Sequence, residues 1–249
     1  MSDKILEVCA GSFDDCVSAF QGNADRVELN SALSLGGLTP SLATLMKVKK
    51  EIGIETCCMV RPRPAGFNYN VSEFEIMFED ARLLLEAGAD GIVFGFLNEN
   101  FTIQKEYTRK MVELIHSFGK KAIFHRAFDL CENLESSIVD LIECHVDRIL
   151  TSGGRSNVDE GIKNISNLQT HYGSRIEILA GCGIRVDNVK KILNMTHVTQ
   201  FHSSCKGYVF DSTTRNAFVS YSYLENNHDC TYEAVDTNKV KMLKKVLNS

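Results

Sequence analysis

The 249-residue sequence predicts an α/β fold: a closed (β/α)8 barrel, the TIM-barrel architecture, in a single domain. Three observations predict it. Eight short apolar segments alternate with amphipathic ones, the pattern of a parallel sheet covered by helices. The length is one that α/β barrels routinely reach as one unit. A related phrase precedes several strands, as Gly22-Asn23-Ala24-Asp25, Gly88-Ala89-Asp90 and His145-Val146-Asp147, and a ring of similar units would leave such a repetition. An open dinucleotide-binding sheet would instead carry G-x-G-x-x-G after its first strand, where Cys9-Ala10-Gly11-Ser12 stands.

Leu6 to Cys9 reads as the first strand, followed by a helix capped by Ser12, with acids in its first turn and Phe13, Val17 and Phe20 as its buried stripe. Asp25 to Leu29 is the second strand. Thr39-Pro40 reads as the cap and first residue of the next helix, with Leu42, Leu45, Met46 and Ile52 inward. Thr56 to Arg61 is the third strand, stopped by Pro62 and Pro64. Ser72 to Glu75 reads as a capping box for a helix ending near Gly88. Gly91 to Gly95 is the fourth strand, and Ala122 to Phe124 ends the fifth. Arg148 to Thr151, Ile176 to Ala180 and Gln200 to His202 complete eight strands. The barrel core spans about 5–205. An extension with a closing helix, marked by Val240, Leu243, Val246 and Leu247, fills 206–249.

Composition narrows the function. The net charge of −5 argues against nucleic-acid binding. No signal peptide and no membrane-spanning apolar run is visible, so the expected location is cytoplasmic, with no membrane partner. The nine cysteines are odd in number and lack C-x-x-C spacing, which predicts free buried thiols rather than a disulfide framework or a structural zinc site.

In such a barrel the C-terminal strand ends share one mouth, where polar residues read as functional. Side chains alternate along a strand. On that basis Glu7, Glu28, Arg61, His125 and His202 are placed inward, as a candidate catalytic constellation. Two carboxylates, an arginine and two imidazoles could pair with one another. They could equally perform acid–base chemistry on a small anionic metabolite, such as a phosphorylated one, held by the arginine. Asp129 reads as orienting His125 or Arg126, or more simply as a cap for the next helix. The glycine-bearing loops at Ser152-Gly153 and Gly181-Cys182-Gly183 are weaker anion-site candidates: Ser152, Gly153, Gly181 and Gly183 could present backbone N–H groups to phosphate. Soft metal donors are present in Cys9, Cys57, Met59, Cys182 and Cys205, together with His125 and His202. Cys57 and Cys58 cannot both face inward.

Several motifs together resemble the CutC copper homeostasis proteins. These are Leu6-Glu7-Val8-Cys9, Asp25 to Leu29, Gly36-Gly37-Leu38-Thr39-Pro40-Ser41, Arg61-Pro62-Arg63, Gly91 to Gly95, Phe124 to Asp129, Leu150 to Gly153 and Phe201-His202-Ser203-Ser204. They cover roughly 5–205 in the family's order. The resemblance implies a cytoplasmic, commonly homo-oligomeric TIM barrel that handles copper, with Cu(I) as ligand and Cys9 as a metal-ligand candidate. Glu7, Glu28, Arg61, His125 and His202 match the family pattern. Asn30 stands where the family often has a second cysteine, Pro64-Ala65-Gly66-Phe67 lacks the usual acid, and Cys182 interrupts a run of three glycines.

Overall fold

The structure is a computed structural model that describes residues 4–224, 228 and 230–249; the rest of the 206–249 extension lies outside the described residues. Eight parallel strands close into a barrel: β1 (Ile5–Ala10), β2 (Arg26–Leu29), β3 (Glu55–Met59), β4 (Gly91–Phe94), β5 (Lys121–Phe124), β6 (Arg148–Thr151), β7 (Glu177–Ala180) and β8 (Gln200–Ser203), with β8 pairing back onto β1. Helices α1 (Phe13–Gln21), α2 (Leu42–Glu51), α3 (Val71–Glu86), α4 (Lys105–Ser117), α5 (Leu134–Glu143), α6 (Val158–Tyr172) and α7 (Val189–Thr196) follow the first seven strands. The eighth connection is longer. An antiparallel ribbon, β9 (Lys206–Phe210) with β10 (Thr231–Val235), precedes α8 (Thr237–Leu247). Helix α8 packs against both α7 and α1, so the part read as a closing extension supplies the eighth helix of the ring.

Two apolar layers hold the fold. Outward-facing strand residues such as Leu6, Val8, Val27, Leu29, Cys58, Ile92, Phe94 and Phe124 pack under the helices, while Cys57, Met59, Val93 and Ile123 form a separate cluster inside the barrel. The cysteine doublet is split between these layers, as alternation requires.

The repeated aspartate phrase has a structural cause. The Asp25 carboxylate accepts the Leu6 N–H of β1 at 2.6 Å, Asp90 accepts Thr56 N–H of β3 at 2.9 Å, and Asp147 accepts Ala122 N–H of β5 at 2.8 Å. Each clasps the start of the preceding strand to its own. Lysines neutralise them: Lys49 and Lys120 on Asp90, Lys121 on Asp147 and Lys244 on Asp25.

Local details correct three expectations. Helix α1 does take Ser12 as its cap, but it buries Asp15, Cys16 and Ala19, leaving Phe20 about half exposed. Small side chains on the inner face let the helix lie close to the strands. Helix α2 starts at Leu42 with Ser41 as cap, and buries Leu45 and Val48 rather than Leu42 and Met46. Thr39 is diverted to the Arg61 backbone, which it bonds through Oγ1. The capping box of α3 is Asn70 with Glu73, because Asn70 already holds the extended backbone a cap requires.

Candidate functional site in the barrel lumen

The inward faces of the strands build a charged column. At its base, β2, β6, β7 and β8 each begin with a polar residue that points inward: Arg26, Arg148, Glu177 and Gln200. Arg26 donates to Glu7 at 2.5 Å and to Gln200 at 2.6 Å. Gln200 donates to Glu177 at 3.1 Å, and Arg148 reaches the same Glu177 oxygen at 2.6 Å. None of these four was among the sequence candidates. The parity that singled out Glu28 applies equally to Arg26, two residues earlier.

Glu7 carries the network upward. Register places it beside Arg26 on one side and His202 on the other, and its second oxygen lies 2.7 Å from His202 Nδ1. Burial would push the Glu7 carboxyl up, but the Arg26 guanidinium and His202 outweigh it and hold it well below the usual carboxylate range. His202 goes the other way. Burial works against its charged form, yet Glu28 and Glu7 together raise it well above the ordinary histidine value. Burial pushes the Glu28 carboxyl up, and the neighbouring His202 offsets this only in part.

Above Glu7, three side chains from three strands converge. Ligand atoms of Cys9, Glu28 and His202 all lie within 4.8 Å of one another. Cys9 Sγ is 3.7 Å from Glu28 Oε2. Asn30 Nδ2 donates to that same Oε2 at 2.8 Å and reaches Cys9 Sγ at 3.6 Å, so Asn30 props the cluster from the side. Burial and the two carboxylates raise the Cys9 thiol. Of the other soft donors, Cys57 and Met59 line the lumen outside this cluster, Cys182 bonds the Ser156 carbonyl at 3.1 Å, and Cys205 bonds Ser203.

Arg61 and His125 stand apart on the β3–β5 side. Continuing the pairing of Met59, Val93 and Ile123 by two residues brings Arg61, Gly95 and His125 into one row at the strand ends. Gly95 is required there: a Cβ would fall 2.4 Å from the His125 ring. Phe67, from the β3–α3 connection, lies 4.7 Å from the His125 ring centre and 5.1 Å from the Arg61 guanidinium. Neither Phe67 nor Tyr69 of that loop was among the sequence candidates. Arg61 Nη1 donates to the carbonyls of Leu35 and Gly37, and Nη2 to that of Ala65. His125 Nδ1 accepts the Ala127 N–H at 3.1 Å, and burial, helped by Arg61, lowers its pKa to about 3, so the ring is neutral with its hydrogen on Nε2.

The loops beyond these strands are committed internally. Asp129 does not cap α5, whose cap is Asn133. Its carboxylate instead accepts from Arg126 Nε, Thr151 Oγ1 and the backbone N–H groups of Ser152 and Gly154. Gly153 N–H goes to Thr151 Oγ1, and Gly181 N–H to the Thr151 carbonyl. The expected phosphate cradle at Ser152 and Gly153 therefore already holds a carboxylate from the chain itself, and Gly181 offers no free N–H either. Gly183 lies in the left-handed region (φ +95°), and its carbonyl accepts from Asn188.

Comparison with known proteins places this lumen in a wider setting. Residues 4–207 match the family model described as the CutC family. A CutC protein of Treponema denticola is 43% identical over 222 residues, 89% of each chain. The human copper homeostasis protein cutC homolog is 36% identical over 241 residues, covering 96% of this chain and 87% of that one. The crystal structure of CutC from Streptococcus agalactiae superposes with a TM-score of 0.76 at 32% identity, over 81% of this chain and 98% of that one.

Proposed function

Because the chain belongs to the CutC family, we propose that it serves copper homeostasis in the cytoplasm by taking a copper ion as cargo at Cys9, Glu28 and His202. The observation that carries this reading is the convergence of those three ligand atoms within 4.8 Å, from β1, β2 and β8. The donor chemistry suits copper. A thiolate favours Cu(I), an imidazole serves either oxidation state, and a carboxylate favours the harder Cu(II). With Asn30 in place of a second cysteine, one sulfur is present, so the mixed set accepts Cu(II) as well as Cu(I). Supporting contacts are built in: Glu7 fixes His202 through Nδ1, and Asn30 fixes Glu28. All nine cysteines are free, consistent with a reducing compartment.

Copper titration against a competing chelator, run for Cu(I) under reductant and for Cu(II) without it, tests the reading. One copper per chain is expected, with affinity lowered by His202→Ala or Cys9→Ser by more than the roughly 10–100-fold that loss of an outer partner such as Asn30 would bring. Affinity unchanged in both variants would remove this cluster as the site.

A further inference from the structure

The described part of the lumen contains three buried arginines, and Arg61 is the one without a carboxylate. Arg26 and Arg148 are ion-paired to Glu7 and Glu177. Arg61 is 6% exposed; its guanidinium donates to three neutral carbonyls and lies beside the neutral Tyr69 hydroxyl, and no carboxylate among the described residues pairs with it. A buried guanidinium without a counter-charge is costly, and folds rarely keep one without a partner. Its Nε–H is also unbonded. So are two further buried groups beside it, His125 Nε2 (4% exposed) and the Tyr69 hydroxyl (7% exposed). Two of the three are obligate donors here: Nε of arginine can only donate, and His125 Nε2 carries the hydrogen because Nδ1 accepts from Ala127. Phe67 packs against both Arg61 and His125, and the absence of a side chain at Gly95 lets the His125 ring lie directly against that backbone.

We propose that this corner is a binding site for a small carboxylate, which supplies the missing counter-charge to Arg61 and takes one hydrogen bond from Arg61 Nε and one from His125 Nε2. A carboxylate fits better than a phosphate. One positive charge and a few side-chain donors match a monoanion with two acceptor oxygens. A phosphate dianion is ordinarily held by several backbone N–H groups, and the loop after β6 has given its own to Asp129. On the β2 side of the lumen, Glu28 Oε1 and Asn30 Oδ1 are unbonded acceptors. Asn30 Oδ1 lies against Gly37, whose carbonyl holds Arg61. A hydroxyl or ammonium group on the carboxylate's neighbouring carbon would find its acceptor there, so the ligand class narrows to short hydroxy- or amino-carboxylates. The carboxylate's own partners, Arg61 and His125, are not copper ligands; only the acceptor for its substituent, Glu28, is shared with the proposed copper site, and Cys9→Ser disables that copper site while leaving Glu28 in place.

The test uses the full chain with histidine side chains labelled with nitrogen-15. Acetate, glycolate, glycine and inorganic phosphate are titrated separately, following the His125 Nε2–H resonance and the thermal midpoint. Glycolate or glycine is expected to shift that resonance saturably and raise the midpoint, acetate to do so more weakly, and phosphate to do neither. In Cys9→Ser the response persists. In Arg61→Met the resonance no longer responds; should that variant not fold, His125→Gln serves instead, with the midpoint rise reduced at least tenfold in ligand potency. No carboxylate moving the resonance, an equal response to phosphate, or a full response in Arg61→Met or His125→Gln would overturn the proposal.

Discussion

Two sides of one lumen treat buried charge in opposite ways. On the β1, β2, β6, β7 and β8 side, Arg26, Glu7, His202, Gln200, Glu177 and Arg148 form a continuous hydrogen-bonded network. On the β3–β5 side, Arg61 and His125 have neither a carboxylate nor a full set of partners. In the first arrangement the fold itself supplies an opposite charge to each buried ionisable group. The second makes structural sense with an outside partner. Opposite-charge neighbours separate the two: Arg26, Arg148 and Arg61 are all buried, and only Arg61 lacks a carboxylate.

Three measurements break or sharpen this contrast. The largest effect is expected from Arg26→Met, which strands the buried Glu7 carboxylate and should cost about 3–5 kcal/mol in urea unfolding. A loss under about 1 kcal/mol would mean that His202 alone satisfies Glu7.

The next concerns His125 and pH. Its folded pKa, about 3, lies below the ordinary histidine value. Between the two, the unfolded chain binds a proton that the folded chain refuses. The stabilising contribution is therefore complete above about pH 6.5 and is lost as pH falls toward 3, at up to about 1.4 kcal/mol per pH unit. Unfolding free energies of the wild type and His125→Gln between pH 6.5 and 4.5 should diverge in slope by nearly that amount. Parallel slopes would show that His125 is not held neutral.

The smallest effect is expected from Arg61→Met. It removes donors from three loop carbonyls but leaves no carboxylate unpaired, so its cost should be about 2 kcal/mol, clearly below that of Arg26→Met. A cost equal to that of Arg26→Met would end the distinction between the two sides.

Parts of this picture were legible before any coordinates. Alternation split Cys57 from Cys58 and pointed Glu7, Glu28 and His125 inward, because side-chain parity is a local property of an extended backbone. The aspartate phrase marked the strand starts that Asp25, Asp90 and Asp147 later prove to clasp. Helix starts were read less well. Thr39 and Ser72 have the right residue type for a cap, but whether a cap forms depends on backbone angles, and these come from the neighbouring connections.

The ring of βα units, the burial of six of the nine thiols (Cys9, Cys182 and Cys230 being partly exposed) and the inward parity of the ionisable residues are determined by the sequence itself, since each follows from periodicity and residue type over a few positions. The partners were decided only by the tertiary structure. Which carboxylate meets which arginine depends on register between strands as far apart in sequence as β1 and β8, where Glu7 and His202 lie 195 residues apart. For the same reason one chain joins Cys9, Glu28 and His202 into a cluster and leaves Arg61 without a counter-charge. Closing the barrel sets those distances, and no local pattern encodes them.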